Sequence, residues 1–391
     1  MRIVYSFPHP SDALADERAG HVIRANSMIA ALRSLGHDVH VVEGAQGRQA
    51  ANAVGVYRLA VQRRLPAAAS NRIRDVGRQV HAHHFANRLG RVVAEQRPDA
   101  IVESDVVFAI AGARASRRYS VPLALDDVAP DWEAATHYDL ASTRAASRAR
   151  AATTRQACVV VAVSRRIRDE LIAEGIDDRK IAVVPNGVPD DFGAAGAAGR
   201  VLRRSLGIAD GDVVIGFVGS FQPFHGVDEL VRAFAAAGIA SKARLLLVGD
   251  GPGWSATRSV VEELGVGHRV DMVGRRPHAE VPAYVAACDV TVLPATAQYT
   301  NPMKLYEYAA AGKPSIAPRA AGVVEIVSDG DDALLFDPLE MGSVQRCLQR
   351  LVDERDLRER LGRHARGRSG EYTWRSRADA LVRAILAPAG G

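Results

Sequence analysis

Short apolar runs alternate with helical patterns along most of the chain, and this alternation constrains the fold more than any other feature. Val213–Val218 is apolar or glycine throughout, a helical pattern follows at Val227–Ala237, and Arg244–Val248 is the next apolar run. Continuous apolar strands separated by helices are typical of parallel sheets covered on both faces. The sequence therefore predicts an α/β fold of doubly wound parallel sheets.

The alternation is interrupted near residue 190, which divides the chain into two candidate domains. The 391 residues are enough to form two separate cores. Ile181–Val184 and the turn Pro185–Gly187 read as the end of the first domain, and the Gly- and Ala-rich segment Gly193–Gly199 reads as a linker. We expect domains at residues 1–192 and 200–370.

The composition is that of an ordinary globular protein, with 48% hydrophobic and 24% charged residues. A formal charge of +5 is a mild excess, which suits small anionic ligands and does not indicate a nucleic-acid partner. The three cysteines are far apart and show no metal-ligand spacing, so we expect buried thiols, a reducing compartment and no metal site. A strand directly after Met1 and no apolar run near ~20 residues favour a cytoplasmic protein.

The stretch 301–316 has the pattern of a helix that begins over a ligand crevice. Asn301 is a suitable N-cap, Pro302 suits the first helical position, and Gly312 is a stop signal. The apolar run Val290–Pro294 lies just upstream, so the helix is expected beyond the carboxyl end of a strand. Ligands bind at that edge of open α/β sheets.

Lys304 and Glu307 are three residues apart and share one face of this helix. The helix N-terminus and the Lys304 charge together suit a phosphate, and Glu307 can accept hydrogen bonds from a vicinal diol such as a ribose. The alternative is an ordinary surface Lys–Glu pair, and this stretch alone favours neither.

Glycine recurs at three predicted strand ends, Gly219, Gly249 and Gly274, where backbone could approach a ligand closely. Ser220 and His225 could each donate a hydrogen bond to a phosphate, although a structural role in the turn is equally consistent with the pattern. Together these positions predict a binding edge on the second sheet.

The first half carries weaker candidates. Gly20 opens a helical pattern and could approach a phosphate or sugar, or simply serve packing. Asp126, followed by Asp127, ends an apolar run and could bind a sugar hydroxyl or act as a base, or cap a loop. His137 is more consistent with a structural role.

Residues 55–93 are rich in Arg and His, with Asp75 the only acid. One interpretation is a docking surface for anionic lipid or an acidic acceptor. We favour the other interpretation, a solvated helix face.

A set of short motifs, taken together, resembles the GT-B retaining glycosyltransferases of family 4 (group 1). The motifs are Val161–Ser164, Val184–Val188, Gly219–Gly226, Val248–Pro252, Asn301–Tyr308, Ala311–Pro314 and Tyr372–Trp374. The resemblance is continuous over the second half of the chain and looser in the first. It implies two Rossmann-like domains facing a cleft, with the C-terminal helix, residues 374–388, packing back on the first domain.

The resemblance also implies residue roles. Glu307 matches the glutamate that holds the ribose, Lys304 a phosphate contact, Gly20 the glycine loop near the diphosphate, and Arg275 the turn that meets the nucleobase. The predicted catalytic residues are Lys304, Glu307 and Asp126. The predicted donor-binding residues are Gly20, Gly219, Ser220, His225, Gly249, Arg275, Asn301, Pro302, Met303, Lys304, Leu305 and Glu307.

Three parts of the family pattern are changed in this sequence. Tyr299 replaces a glutamate, Ser220 and His225 replace the Arg and Lys of the diphosphate clamp, and the Asp126–Asp127 pair replaces a histidine. A subgroup with P-x-K-L-x-E-Y, in which Lys304 neutralises phosphate, would fit these changes.

The resulting expectation is a retaining, metal-independent glycosyltransferase without a cofactor. It would move a sugar from a nucleotide-diphosphate sugar, UDP-linked by family habit, to a hydroxyl acceptor in envelope-glycan or secondary-metabolite synthesis. The alternatives are a sugar-nucleotide epimerase of the same fold and a non-catalytic protein that docks to membrane or a partner through residues 55–93. No oligomeric state is predicted.

Overall fold

The computed structural model describes residues 1–16, 19–45, 66–126, 128–131, 138–296 and 301–387. The chain forms two compact units. The first comprises Met1–Pro185 together with Arg377–Gly391, and the second comprises Asn186–Ser376.

The first unit is an α/β unit around one six-stranded parallel sheet. The strands lie in the order β2-β1-β3-β4-β5-β6, so the strand order reverses between β1 and β3. The elements are β1 (Arg2–Phe7), α1 (Gly20–Ser34), β2 (Asp38–Glu43), α2 (Ala67–Gln96), β3 (Ala100–Ser104), α3 (Ala111–Tyr119), β4 (Leu123–Asp126), α4 (Thr143–Gln156), β5 (Val159–Ala162), α5 (Arg165–Ala173) and β6 (Ile181–Val183).

The second unit has the same plan with a different strand order. Its parallel sheet runs β9-β8-β7-β10-β11-β12, so the order reverses between β7 and β10. The elements are α6 (Gly196–Ser205), β7 (Val213–Val218), α7 (Val227–Ala236), β8 (Ala243–Val248), α8 (Trp254–Glu263), β9 (Val270–Gly274), α9 (Val281–Ala287), β10 (Val290–Val292), α10 (Met303–Ala310), β11 (Ser315–Pro318), α11 (Ala321–Val324), β12 (Ala333–Phe336), α12 (Ser343–Asp353) and α13 (Arg355–Ser369). The last helix, α14 (Trp374–Leu386), begins in the second unit and from Arg377 onward belongs to the first.

Apolar side chains on both faces explain why β7, in the middle of the second sheet, is fully buried. Along β7, Ile215 and Phe217 belong to one hydrophobic cluster, whereas Val214 and Val218 belong to the cluster on the opposite face. A strand buried on both faces cannot show alternating polarity. The predicted fold class of doubly wound parallel sheets is confirmed.

The predicted linker Gly193–Gly199 is wrong, because this segment is helical. It contains a 3-10 turn at Phe192–Ala194 and the start of α6. Gly199 lies against α9, where a Cβ atom would come within 2.8 Å of Ala286 Cβ. Glycine here permits close packing of two helices, and the boundary between the units falls earlier, at Pro185.

The described part of the Arg- and His-rich segment is α2, which has a buried and an exposed face. Phe85 and Leu89 are buried, whereas Ile73, Val76 and Val80 are among the exposed large hydrophobic residues. Residues 46–65, including the start of the predicted docking surface, lie outside the described residues.

Candidate functional site

Lys304 lies at the carboxyl edge of the second sheet, beside the point where the strand order reverses. Its Nζ is 5.7 Å from the centre of the Phe217 ring on β7. At Gly219, the residue after β7, a Cβ atom would come within 2.2 Å of Lys304 Cε and 2.8 Å of Nζ. The Lys304 side chain therefore occupies the space that a Cβ atom at Gly219 would fill, at the edge where open α/β sheets bind ligands.

Within the described part of the chain, the Lys304 ammonium group lies over the Phe217 ring but has no hydrogen-bond or ion-pair partner. No carboxylate lies within 4.0 Å of Nζ among those residues, and no hydrogen-bond acceptor is in range. The side chain is only partly exposed. Burial lowers the pKa of Lys304, and the nearby Glu307 carboxylate raises it. A half-buried cation without a counter-ion is costly and is typical of a site for an anion.

Glu307 lies one turn along α10 and is also half-buried. Burial raises its pKa, whereas His278 and Lys304 lower it. Among the described residues, no side-chain hydrogen bond or ion pair within 4.0 Å is made by this carboxylate. Lys304 and Glu307 therefore do not form the simple surface ion pair that was the alternative interpretation of the sequence.

His278 is a site residue that the sequence did not reveal. It lies in the 3-10 turn His278–Glu280 that follows β9, and its charge acts on Glu307 from a different element. The only sequence signal for His278 was its place four residues after the strand-end glycine Gly274. Its proximity to α10 depends on the order of the strands in the sheet, which the sequence does not show.

His225 ends the 3-10 turn Pro223–His225, and its ring packs near Phe217 with centroids 5.9 Å apart. Its Nδ1 donates to the Ser220 carbonyl oxygen. Burial and the neighbouring Lys304 charge lower the pKa of His225 to about 4, so the ring is neutral at pH 7. The structure thus places Ser220, His225 and Lys304 together.

The helix α10 is fixed to the sheet by its buried face. The Val218 N–H donates to Tyr308 Oη over 3.2 Å, which joins α10 to the end of β7. Leu305 was predicted to contact the sugar donor, but its side chain is fully buried in the core and cannot do so. Pro302 and Met303 are half-buried at the helix start. Gly312 has a φ of 68° just after the helix, which confirms the predicted stop.

The predicted N-cap role of Asn301 is wrong. The helix begins at Met303, Pro302 occupies the N-cap position, and no side chain caps it. The Asn301 side-chain oxygen instead accepts from the Asn186 N–H over 2.9 Å, and its amide donates to Tyr306 Oη over 3.0 Å. Asn301 therefore joins the loop before α10 to the turn at the start of the second unit.

The other strand-end residues divide into two kinds. A Cβ atom at Gly249 would lie 1.8 Å from the Gly219 carbonyl oxygen, so this glycine permits packing between two strand-end loops. Gly274 has open space around it but a φ of 72°, a conformation that favours glycine. Arg275, which follows it, is exposed.

Asp126 is corrected from a candidate catalytic residue to a buried structural one. It is 0% exposed and forms an ion pair with Arg24, whose Nη2 lies 2.7 Å from Oδ1. Tyr5 Oη donates to Oδ2 over 3.1 Å, and Arg24 also donates to the Val184 carbonyl oxygen. A carboxylate enclosed by these partners has no access to a substrate.

The remaining predictions in the first unit are less constrained. Gly20 is the first residue of α1 and is exposed. Asp127, His137 and Tyr299 lie outside the described residues.

A cluster of possible metal ligands in the first unit was not foreseen. Ligand atoms of His9, Asp12 and His21 lie within 4.8 Å of one another. The two imidazole rings are stacked, with centroids 4.4 Å apart and planes at 15°. Because an imidazole binds a metal in its own ring plane, nearly parallel rings are poorly placed to share one ion.

Comparison with family models covers most of the chain. Residues 19–187 match the model described as "Glycosyl transferase 4-like domain", and residues 200–368 match "Glycosyl transferases group 1". The chain belongs to the group 1 glycosyltransferases. The two matched ranges fall one in each half of the chain, and the second contains the whole Lys304 site.

Curated glycosyltransferases resemble part of the chain. The D-inositol 3-phosphate glycosyltransferase of Stackebrandtia nassauensis is 31% identical over 218 residues, which cover 53% of this chain and 48% of that enzyme. The 2-deoxystreptamine glucosyltransferase of Streptomyces kanamyceticus is 31% identical over 204 residues, covering 51% of this chain and 52% of that one. The chain thus aligns with about half the length of these relatives.

Solved glycosyltransferase structures share the fold over nearly the full length. Anabaena HepE in complex with UDP and glucose has a TM-score of 0.72 and 19% identity, covering 99% of this chain and 100% of that one. WaaG, a glycosyltransferase of lipopolysaccharide biosynthesis, has a TM-score of 0.66 and 16% identity, covering 99% and 100%. These likenesses support the GT-B fold. Among the described helices, none combines the length and apolarity that crossing a bilayer requires.

Proposed function

We propose that this glycosyltransferase family member transfers a sugar from a UDP-sugar to a hydroxyl acceptor with retention of anomeric configuration. The observation that carries the proposal is the half-buried Lys304 ammonium group, which lacks a counter-ion among the described residues and lies at the edge where the strand order reverses. An anionic diphosphate would supply that counter-ion.

Charge compensation on the leaving diphosphate is the catalytic contribution of this site. As the bond between sugar and phosphate breaks, negative charge grows on the phosphate oxygens, and Lys304 stabilises it without having to reorganise. The free N–H groups at the start of α10 add positive potential in the same place. The proposal therefore requires no metal ion, and turnover should survive a chelator.

Glu307 is assigned to the nucleoside. It carries no protein hydrogen bond among the described residues and lies one turn beyond Lys304, so it suits the two ribose hydroxyls next to the diphosphate. Hydroxyl donors to this carboxylate would favour its charged form, offsetting the effect of burial.

The donor, the acceptor and the stereochemistry rest on likeness. The Anabaena neighbour was solved with UDP and glucose. The resemblance to family 4 implies retention of configuration, with attack from the leaving-group side. In that reaction the acceptor hydroxyl forms the new glycosidic bond and the departing diphosphate accepts its proton. The names of the curated relatives include D-inositol 3-phosphate and 2-deoxystreptamine, so we propose a small hydroxyl-bearing acceptor in a cytoplasmic pathway for envelope glycans or secondary metabolites.

The test is nucleotide release from a panel of UDP- and GDP-sugars, with and without cell-extract acceptors. The proposal expects UDP release that depends on acceptor and a product with retained configuration. Conversion of the nucleotide sugar without any acceptor would favour the epimerase alternative. Liposome binding with no affinity for any nucleotide would favour the docking alternative.

A further inference from the structure

The donor site contains a second nitrogen base beside Lys304, and its hydrogen bonds leave one of its atoms available. Lys304 Nζ and the His225 ring lie on the same Phe217 ring, 5.7 Å and 5.9 Å from its centre. His225 Nδ1 donates to the Ser220 carbonyl oxygen, which can only accept. This bond fixes the tautomer and leaves Nε2 without a proton.

A neutral Nε2 is the wrong partner for a phosphate. Both the imidazole nitrogen and the phosphate oxygens are hydrogen-bond acceptors, so the two repel when they approach each other. Protonation of Nε2 turns it into a charged donor while the bond from Nδ1 to Ser220 is kept. Within the described residues, no protein group hydrogen-bonds to Nε2.

The surroundings of His225 oppose protonation until an anion arrives. β7 presents the apolar Phe217, the turn of His225 itself presents Phe224, and α10 presents the Lys304 charge. Asp228 and Glu229 follow in the first turn of α7. Burial and Lys304 together lower the pKa of His225 to about 4 in the free protein. A diphosphate placed against Lys304 would offset the repulsion from that ammonium group.

We infer that His225 takes up a proton from solution when the diphosphate of the donor binds, so that donor affinity is coupled to pH through this residue. The inference rests on the proposed function and adds to it, because it gives the diphosphate a second cationic partner beside Lys304. It follows that His225 Nε2 then donates to a phosphate oxygen, forming a second cation in the site.

The direction of the effect follows from linkage. A group whose pKa rises on binding makes the ligand bind more tightly as pH falls through its pKa in the complex. An opposite charge at close range raises a pKa by about 1–3 units, so the window lies above the free value near 4 and extends to about pH 7. We expect roughly tenfold tighter binding at about pH 5.5 than at about pH 8.

UDP-glucose is the probe, because its diphosphate is esterified at both ends and does not titrate in this range. The terminal phosphate of free UDP does titrate, near pH 6, and would obscure the effect. Titration calorimetry in two buffers of different ionisation enthalpy counts the protons taken up on binding. The expected uptake is a sizeable fraction of one proton near pH 6, and no uptake would overturn the inference.

Two substitutions assign the proton to His225. His225→Lys carries a permanent charge, so its UDP-glucose affinity should change with pH much less than that of the wild type. His225→Gln cannot be protonated, and its deficit relative to the wild type should grow as pH falls. His268→Gln, a matched change in the turn Gly267–Arg269, should keep the wild-type pH profile. Equal profiles for the wild type and both His225 variants would contradict the inference.

Proton uptake on binding could also occur at Glu307, whose pKa is raised by burial and which lies near Lys304. Direct observation of the His225 ring shows which of the two groups takes up the proton. Histidine Nε2 and Cε1 chemical shifts, followed with and without UDP-glucose, should show His225 protonated only in the complex. Binding of UDP-glucose with His225 neutral overturns this inference and leaves the proposed function intact. Failure of every nucleotide sugar to bind overturns the proposed function itself.

Discussion

Both sheets have charged residues near the carboxyl ends of their strands. In the first sheet the charged side chain is buried and paired, whereas in the second the charged side chains are partly exposed and unpaired among the described residues. Asp126, at the carboxyl end of β4, is fully buried and paired with Arg24. Lys304 and Glu307, beyond the end of β10, are half-buried and have no protein hydrogen bond or ion pair among the described residues. Position at a strand end therefore does not identify a functional charge. The absence of a hydrogen-bond or ion-pair partner among the described residues is what makes Lys304 and Glu307 the better candidates.

The largest expected effect concerns the paired acid. Asp126→Ala removes the buried carboxylate that pairs with the Arg24 guanidinium, which should lower the free energy of unfolding by about 3–5 kcal/mol. Denaturant unfolding measures the change. Asp139→Ala removes an exposed partner of Arg74 and should cost less than about 1 kcal/mol. An Asp126→Ala protein of normal stability that had lost turnover would return Asp126 to the catalytic site.

Replacing Lys304 should have the opposite effect to replacing Asp126: it should lower turnover without lowering stability. Lys304→Ala should lower kcat by roughly 10²–10³-fold, the loss expected for a group that stabilises transition-state charge, with stability maintained or increased. Steady-state kinetics and thermal melting measure both quantities. Lys242→Ala, which removes an exposed ion pair with Asp353, is the control and should change neither. An unchanged kcat in Lys304→Ala would mean that the diphosphate is held elsewhere.

Glu103, a buried acid with no ion-pair partner among the described residues, gives a third case for the comparison. Glu103 on β3 is fully buried, accepts from Ser6 Oγ and the Gly112 N–H, and leaves Oε1 without a partner among the described residues. Burial raises its pKa to about 7. The folded state thus retains a proton that the unfolded chain loses near pH 4.5, and the contribution to stability falls as pH rises from there to about pH 7.

Glu103→Gln should remove this pH dependence. The variant should be more stable than the wild type by on the order of 2–3 kcal/mol at about pH 8 and no more stable at about pH 4.5, because the protonated acid and the amide are both neutral. Thermal melting across this range provides the measurement. A stability difference that does not vary with pH would show that Glu103 is ionised in the fold.

The smallest expected effect concerns the nucleoside. Glu307→Gln should weaken UDP binding roughly tenfold through poorer hydrogen bonds to the ribose. The sharper comparison uses 2′,3′-dideoxy-UDP, which lacks the ribose hydroxyls. The wild type should bind it less tightly than UDP, whereas Glu307→Gln should bind the two nucleotides with nearly equal affinity. If Glu307→Gln discriminates between the two nucleotides as strongly as the wild type, Glu307 does not contact the ribose.

The strands and the end of α10 were predictable because they depend on local pattern. The apolar run Val213–Val218 and the stop at Gly312 lie where the sequence placed them. The errors involve partners distant in sequence. Asp126 pairs with a residue 102 positions away, and Asn301 bonds to one 115 positions away.

Glycine was the other source of error, because a glycine in a sequence can indicate flexibility, close packing or close approach of a ligand. The segment Gly193–Gly199 suggested flexibility, whereas Gly199 is small so that α6 can pack against α9. Gly219 was predicted to let a ligand approach the backbone, and in the structure the space above it holds Lys304. Neither use can be read from one sequence, because both depend on a neighbour that only the fold supplies.

A crystal structure of the protein with UDP tests the central claim most directly, namely that the unpartnered ammonium group of Lys304 is an anion site. The account predicts a phosphate oxygen at about 2.7–2.9 Å from Lys304 Nζ, with the ribose hydroxyls facing Glu307. A bound UDP whose phosphates lie away from Lys304, or a lysine that has turned to a protein carboxylate in the complex, would contradict it.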